Sequence, residues 1–195
     1  MHISKRQGVF LPHWTAEGAT YAVTFRQNDS LPFAARTELL KLRAELEELK
    51  EKATGLKDLI RVQHAFSSKS DAFLNAGYGS CVFRDERHAM VMATALKHFD
   101  GARYELSAWV VMPNHVHAVV RPLPGFKLSD IVKSWKCFSA RKLNERLGTS
   151  GAFWQREYYD HIVRGELDMQ LQIDYVMSNP STAGLKEWRW VWRKG

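Results

Sequence analysis

The stretch Tyr104-Glu-Leu-Ser-Ala-Trp-Val-Val-Met-Pro-Asn-His-Val-His-Ala-Val-Val-Arg121 decides the fold. It contains two apolar runs rich in β-branched and aromatic residues, and such runs are typical of β-strands. We predict strands over residues 104–112 and 115–121, joined by a turn at Pro113-Asn114. The stretch therefore predicts a β-hairpin with a strong apolar core.

The segments on either side of this hairpin show further strand and helix patterns. Residues 21–26 are rich in β-branched and aromatic residues and predict a first strand. The leucines at positions 39, 42, 46 and 49 recur at steps of three and four, which predicts a helix over residues 33–52. The other predicted elements are helices over residues 56–75, 85–99, 129–147 and 166–178 and a short strand over residues 158–163.

This order of elements fits an α+β fold, in which a ferredoxin-like antiparallel sheet has its helices packed on one face. The two helices after the first strand, with a loop at residues 77–80, form a helical insertion over residues 33–80. A chain of 195 residues is long enough to bury a hydrophobic core. We therefore expect a single domain over residues 1–195.

The composition indicates a soluble protein with a polyanionic partner. No stretch approaches the roughly 18 uninterrupted apolar residues of a membrane span, and no apolar segment follows the first six residues, so we expect a cytoplasmic protein without a membrane partner. The only cysteines, Cys81 and Cys137, exclude a disulfide framework and a four-cysteine zinc site. The formal charge of +7 and pI of about 9.5 favour a nucleic-acid partner.

His115 and His117 form a candidate metal site in the hairpin. Side chains of a strand alternate between its faces, so both imidazoles project to one side while Val116 points into the core. Taken alone the pair is a weak signal, because a chance pair on a half-exposed sheet face is at least as common as a metal site. A divalent ion would also need ligands from a neighbouring element.

The last predicted helix offers such a ligand. Tyr175 and Asn179 are spaced i, i+4 and therefore lie on one face of that helix, where a hydroxyl and an amide oxygen would point together. From spacing alone, a plainer interpretation is favoured, in which Tyr175 covers the core and Asn179 ends the helix before Pro180.

Several longer segments resemble the REP-associated tyrosine transposases, relatives of the single-tyrosine insertion-sequence transposases that carry the HUH motif. The resemblance covers most of the chain. It is carried by Ala108-Trp-Val-Val-Met-Pro-Asn-His-Val-His-Ala-Val-Val120, Ser134-Trp-Lys136, Phe153-Trp-Gln-Arg-Glu-Tyr-Tyr-Asp-His161, Asp174-Tyr-Val-Met-Ser-Asn-Pro180 and Ala183-Gly-Leu185, and upstream by Leu11-Pro-His-Trp14, Gly18-Ala-Thr-Tyr-Ala-Val-Thr-Phe25 and residues 79–101.

The resemblance implies a function and a set of site residues. It makes His115, His117 and Asn179 the ligands of a divalent metal ion, Mg²⁺ or Mn²⁺, and Tyr175 the nucleophile. The implied activity is a metal-dependent endonuclease and strand transferase on single-stranded or hairpin DNA from repetitive palindromic sequences. Its intermediate would be a covalent 5′-phosphotyrosine, with a free 3′-hydroxyl on the other strand end. Whether such a protein is a monomer or a homodimer stays open.

Basic residues outside the site are candidates for DNA binding. Lys133, Lys136 and Arg141 spread over one arc of the helix at residues 129–147, although a solvated charged face is a common alternative. Arg156 and Arg164 flank Tyr158-Tyr159, whose rings could stack on unpaired bases or pack in the core.

Two other functions remain open at this stage. The protein could be a catalytically silent, sequence-specific DNA-binding or regulatory protein of the same fold. It could also be a metal-dependent hydrolase that uses the histidines without a covalent tyrosine.

Overall fold

The computed structural model describes residues 3–7, 12–52 and 55–195. Leu11, where the upstream family-like segment begins, lies outside the described residues. Five strands form one antiparallel sheet in the order β6-β3-β5-β4-β7, and β1 pairs with β2 in a separate hairpin, so the predicted α+β class is confirmed. The strands are β1 (Ile3–Gln7), β2 (Pro12–Ala16), β3 (Tyr21–Arg26), β4 (Tyr104–Val111), β5 (His115–Pro122), β6 (Tyr159–Ile162) and β7 (Val191–Arg193).

The predicted hairpin is β4 and β5, at the centre of the sheet. A bulge at Ser107 shifts the register between Leu106 and Ala108, and this reverses which residues of β4 face which side. Leu106 and Trp109 therefore lie in the same core, whereas Ala108 faces the opposite side of the sheet with Val110.

Helices α3 (Glu86–Lys97) and α4 (Leu128–Leu147) cover one face of the sheet. Their apolar residues pack on Val116 and its alternate neighbours in β5. Two polar groups of this core are paired, since the Trp135 indole donates to the Tyr104 hydroxyl over 2.8 Å, and that hydroxyl donates to the Leu96 carbonyl over 2.7 Å. The buried Trp109 indole nitrogen has no partner among the described residues, so this face is an apolar core in which a buried donor stays unsatisfied.

Helix α5 (Gly165–Thr182) packs on the opposite face, so the expectation of helices on one face only is wrong. Val176 of α5 is buried against Val110, Met112 and Val119 of the central hairpin. The hairpin residues are buried on both sides, and a nearly continuous apolar run is typical of a strand covered on both faces. In the sequence, this apolar run in place of a polar–apolar alternation was the signal that helices cover both faces of the sheet.

The predicted helical insertion consists of α1 (Phe33–Lys52) and α2 (Leu56–Asn75). Leu39 and Leu46 of the leucine stripe are buried against Phe66 of α2. The chain returns close to its starting point, because a Cβ at Gly79 would lie 2.5 Å from the backbone oxygen of Asp29, which leaves room only for glycine. The insertion therefore leaves the sheet and rejoins it at one place.

Three features differ from the sequence prediction. The β1–β2 hairpin and the edge strand β7 were not predicted. Helix α5 runs through Pro180 to Thr182 instead of ending at Asn179-Pro180, and Asn179 is therefore a helical residue one turn after Tyr175.

None of the described helices combines the length and the apolarity that a bilayer crossing requires.

Candidate active site

Strand β5 brings the two histidines together on the sheet face covered by α5. His115 and His117 are 0% and 2% exposed, and their ring centroids are 4.7 Å apart. The alternation of the strand places Val116 in the opposite core, as predicted. Both imidazoles are therefore buried side by side, on the face of the sheet opposite Val116.

The hydrogen bonds of Asn114 fix the tautomer of His115. The Asn114 amide nitrogen donates to the backbone carbonyls of Leu74 and Tyr78, over 3.2 and 3.0 Å. Its amide oxygen must then accept from His115 Nδ1, which lies 2.7 Å away. Because Nδ1 carries the hydrogen, Nε2 keeps its lone pair and can act as a metal ligand.

His117 is held in a similar way by β3. Its Nδ1 lies 2.8 Å from the Thr24 hydroxyl, on the strand that pairs with β5. Its Nε2 lies 3.7 Å from Asp71 Oδ1, beyond hydrogen-bonding distance. Nδ1, the outer nitrogen of each histidine, is thus anchored by a hydrogen bond. Nε2, the inner nitrogen of each, points to a shared space.

Helix α5 places Tyr175 and Asn179 beside the histidines. The Tyr175 ring lies edge-on to His117, with centroids 5.4 Å apart. The Asn179 amide nitrogen donates to Asp71 Oδ2 over 2.7 Å, which leaves its amide oxygen turned away from that carboxylate. The predicted i, i+4 pair therefore does lie on the helix face that covers the histidine pair.

Asp71 is the site residue that sequence reasoning missed. It lies on α2, is 6% exposed, and its Oδ2 accepts hydrogen bonds from both Tyr175 and Asn179. With His115 and His117 it forms a group whose ligand atoms all lie within 4.8 Å of one another. A single aspartate on a largely polar helix carries no periodic signal, and its partners are more than a hundred residues away in the chain.

Three atoms of this cluster are buried and have no hydrogen-bond partner among the described residues: His115 Nε2, His117 Nε2 and Asn179 Oδ1. Leaving such atoms unsatisfied costs free energy, and an unsatisfied group in a folded protein calls for an explanation. Two imidazole nitrogens and one amide oxygen are ligands for a divalent ion. The residues present therefore fit the metal that the sequence resemblance implied.

The protonation states also suit metal binding. Burial, together with the neighbouring His117 and the charge of Arg26, holds the pKa of His115 well below its ordinary value. Burial likewise lowers the pKa of His117, against the opposing effect of Asp71. Both imidazoles are neutral at pH 7, as ligands must be. Burial and the nearby Asp71 raise the pKa of Tyr175 well above its ordinary value, so its phenol keeps its proton.

The start of α5 is fixed by a second buried group. His161 of β6 lies with its Nε2 2.8 Å from Asp168 Oδ2, and the same oxygen accepts from the backbone nitrogen of Arg164. Burial alone would raise the pKa of Asp168, but these hydrogen bonds, with one from Gln172, hold it below its ordinary value. His161 is therefore an anchor between β6 and the helix that carries Tyr175.

The predicted DNA-binding residues lie in two places. Lys133 and Arg141 are exposed on α4, across the sheet from the histidines. Lys136 is on the same helix, but its Nζ donates to the backbone carbonyls of Gln155 and Arg156, and burial lowers its pKa to about 8. The structure thus gives Lys136 a role in holding the segment before β6.

Arg156 and Arg164 lie before and after β6. Arg156 lines a cavity that Tyr175 also lines, and Arg164 directly precedes α5. Tyr158 and Tyr159 point to different cores, since Tyr158 packs against the cluster under α4 and Tyr159 against the insertion.

Comparison with known proteins identifies the family. A family model described as "Transposase IS200 like" matches residues 75–179, more than half of the chain. The chain belongs to the IS200-like transposase family. The match contains the histidine pair, Tyr175 and Asn179, whereas α1 and Asp71 lie outside it.

A curated relative aligns with half of this transposase. A REP-associated tyrosine transposase of Escherichia coli (strain K12) is 26% identical over 98 residues, which are 50% of this chain and 54% of that protein. The chain thus aligns with about half the length of this curated relative.

Two solved structures are also similar. A REP-associated tyrosine transposase bound to a REP hairpin has 16% identity and a TM-score of 0.48 over 92% of this chain and 79% of that one. A protein from Deinococcus radiodurans R1, described as a candidate transposase, has 16% identity and a TM-score of 0.33 over 85% of this chain and 93% of that one. These two likenesses carry no argument about chemistry.

Proposed function

We propose that this transposase is a metal-dependent endonuclease and strand transferase that acts on single-stranded hairpin DNA through a covalent 5′-phosphotyrosine on Tyr175. The observation that carries the proposal is the meeting of Tyr175 with three buried, unpartnered ligand atoms on His115, His117 and Asn179. A catalytically silent DNA-binding protein would have no need to keep these atoms unsatisfied at a cost in stability.

The proposed ligands are His115 Nε2, His117 Nε2 and Asn179 Oδ1. A Mg²⁺ or Mn²⁺ ion held there would neutralise the charge of the scissile phosphate. Asn114 keeps His115 in the required tautomer, Thr24 holds the His117 ring in place, and Asp71 orients the Asn179 amide. The donor set of two nitrogens and hard oxygens suits either ion.

Tyr175 performs the transfer step. Its Oη attacks the phosphorus and forms a phosphotyrosine bond, the bond from phosphorus to the 3′ oxygen breaks, and that oxygen takes up a proton to leave as a 3′-hydroxyl. Asp71 Oδ2 already accepts a hydrogen bond from the Tyr175 hydroxyl, and we assign it as the acceptor of the proton that the phenol loses when it attacks. The reverse attack by a 3′-hydroxyl rejoins the strand without an external energy source.

Two observations support DNA as the substrate. The chain carries a formal charge of +7, and the curated relative is named for its association with REP sequences. Hairpin DNA from repetitive palindromes is therefore the proposed substrate class. The cytoplasmic location and the single domain expected from the sequence stay predictions.

Covalent capture tests the proposal. Purified protein is incubated with Mn²⁺ or Mg²⁺ and a library of labelled hairpins that carry unpaired flanks of random sequence. Wild-type protein, Tyr158→Phe and Tyr159→Phe should each form an adduct that survives a denaturing gel, and Tyr175→Phe should form none. Peptide mapping should locate the DNA on Tyr175.

Each alternative gives a different result. Tight hairpin binding without any adduct would favour the silent DNA-binding protein. Cleavage that persists in Tyr175→Phe would favour a hydrolase without a covalent tyrosine, and DNA mapped to Tyr158 or Tyr159 would overturn the assignment of α5.

A further inference from the structure

A cavity lies between the insertion and the edge of the sheet, next to the proposed nucleophile. Its wall includes residues of α1, α2, β3 and the segment before β6, and both Tyr175 and Asp71 line it. Its volume of ≈ 160 Å³ is about ten times the ~15 Å³ of such space that one water needs. It can therefore hold a group of several heavy atoms beside Tyr175.

The wall of this cavity is strongly basic. Four arginines line it, Arg26, Arg36, Arg43 and Arg156, against two carboxylates, Asp71 and Glu157. Asp71 is already bound to Tyr175 and Asn179. Arginines seldom gather in a half-buried space without an anion, because their charges repel one another.

Arg43 shows this imbalance, an excess of positive over negative charge, most clearly. Its Nε is buried and has no hydrogen-bond partner among the described residues. Its guanidinium lies 5.7 Å from the centroid of the Tyr159 ring, and burial lowers its pKa while the nearby Tyr159 and Glu157 partly offset this effect. A buried guanidinium with an unsatisfied donor is a suitable partner for an anionic oxygen.

The neighbouring arginines share this imbalance. Burial and the charges of Arg43 and Arg36 lower the pKa of Arg26 to about 10, so it stays charged at pH 7. Its side chain donates to the Ser30 hydroxyl over 3.0 Å, and that hydroxyl supplies no negative charge. An entering anion would relieve the mutual repulsion of all three arginines.

The aromatic residues of the wall favour a phosphate over a base. The Tyr159 ring already packs against Phe66, at 5.1 Å between centroids, as well as against Arg43. A base could stack on it only by displacing one of these neighbours.

We propose that this cavity is a phosphate-binding subsite, in which Arg26, Arg36 and Arg43 bind a phosphodiester of the DNA strand next to the one attacked by Tyr175. The inference rests on the proposed function for its substrate. Arg36 and Arg43 belong to α1, so the helical insertion would supply a contact to the reacting strand from outside the residues that the family model matches.

The test combines arginine variants with neutral linkages in the DNA. Hairpins are chosen by binding to wild-type protein in chelator, and each linkage of the unpaired flank is replaced in turn by a methylphosphonate. One replacement should weaken binding to wild type roughly 10-fold or more, as expected for a lost charge-assisted hydrogen bond. Arg43→Gln should also weaken binding of the natural hairpin, and that same replacement should then cost less affinity than it does in wild type, because Arg26 and Arg36 still contact the phosphate.

Two further variants control the result. Arg36→Gln changes an exposed side chain and should likewise reduce the effect of that one methylphosphonate. This coupling between an arginine and one linkage should be seen with Arg36→Gln even if Arg43→Gln lowers the melting temperature. Arg61→Gln removes an equal charge from α2, where Arg61 pairs with Asp58, and should bind every hairpin as wild type does.

Uncoupled effects at every linkage would overturn the subsite. A second result would also overturn it: Arg43→Gln binds the hairpin as wild type does, but inorganic phosphate no longer competes with the hairpin. The cavity would then bind a free anion instead of DNA. Adduct formation is measured in parallel. An adduct without coupling leaves the proposed function intact, and coupling without an adduct leaves the subsite as a DNA contact and removes the transferase assignment.

Discussion

The two faces of the sheet are built from the same strands but have opposite characters. Under α3 and α4, β5 contributes Val116, Ala118 and Val120 to an apolar core. Under α5, the same strand contributes His115 and His117, whose inner nitrogens have no described partner. Alternation along one strand thus separates the apolar face from the face to which we assign the chemistry.

The comparison gives a rule for mutations. Unsatisfied buried polar atoms destabilise a fold, so the face under α5 depends on the free energy that the opposite core supplies. Changes under α5 should alter chemistry with little loss of stability, and changes under α4 should do the reverse.

The largest effect is expected at the histidines. His115→Ala or His117→Ala should abolish cleavage while hairpin affinity, followed by fluorescence anisotropy, stays within a few-fold, because ligands serve the chemical step and basic residues serve affinity. Mn²⁺ should raise the melting temperature of wild type but of neither variant. Full cleavage by both variants in excess chelator would contradict the metal site.

The next largest effect is expected at Asp71, the contribution of α2 to the same face. Asp71→Asn should slow adduct formation by about 100-fold, the lower range for loss of a proton acceptor, without weakening hairpin binding. Asp58→Asn makes the same substitution near the start of α2 and should react at the wild-type rate. Equal rates in the two variants would mean that Asp71 has no part in the transfer.

The core under α4 should respond in stability instead. Leu143 is 0% exposed, and Leu143→Ala should lower the free energy of unfolding by about 2–5 kcal/mol in urea titrations. At low temperature, where the variant stays folded, its rate of adduct formation should equal that of wild type. Leu167→Ala, at a 59% exposed position of α5, should change stability by less than about 0.5 kcal/mol.

The smallest effect concerns whether DNA also reaches the face under α4. If Lys133 and Arg141 contact phosphates, the double alanine variant should flatten the slope of log affinity against log salt by about 0.7 per lost contact. Lys136 is left unchanged, since its Nζ binds two backbone carbonyls. An unchanged slope would assign this helix to a solvated charged face and confine the DNA to the other side of the sheet.

Local patterns predicted much of the fold. The hairpin β4–β5, the insertion helices and α4 were expected nearly where they lie, because apolar periodicity reports which side of an element is buried. The same patterns predicted α5 as a helix but not the face of the sheet on which it packs, because that depends on which side of the sheet is still uncovered. The bulge at Ser107, which reverses the parity of β4, leaves no mark in the sequence either.

The sequence by itself determined the pairs that a single element can hold. His115 and His117 share a face because strand side chains alternate, and Tyr175 and Asn179 share one because a helix repeats every 3.6 residues. Only the tertiary structure decided that these two faces meet, that Asp71 joins them from α2, and that Arg43 of α1 lies beside Tyr159 of β6. Such contacts join residues roughly 60 to 120 positions apart, and their geometry is set by the packing of whole elements rather than by any local period.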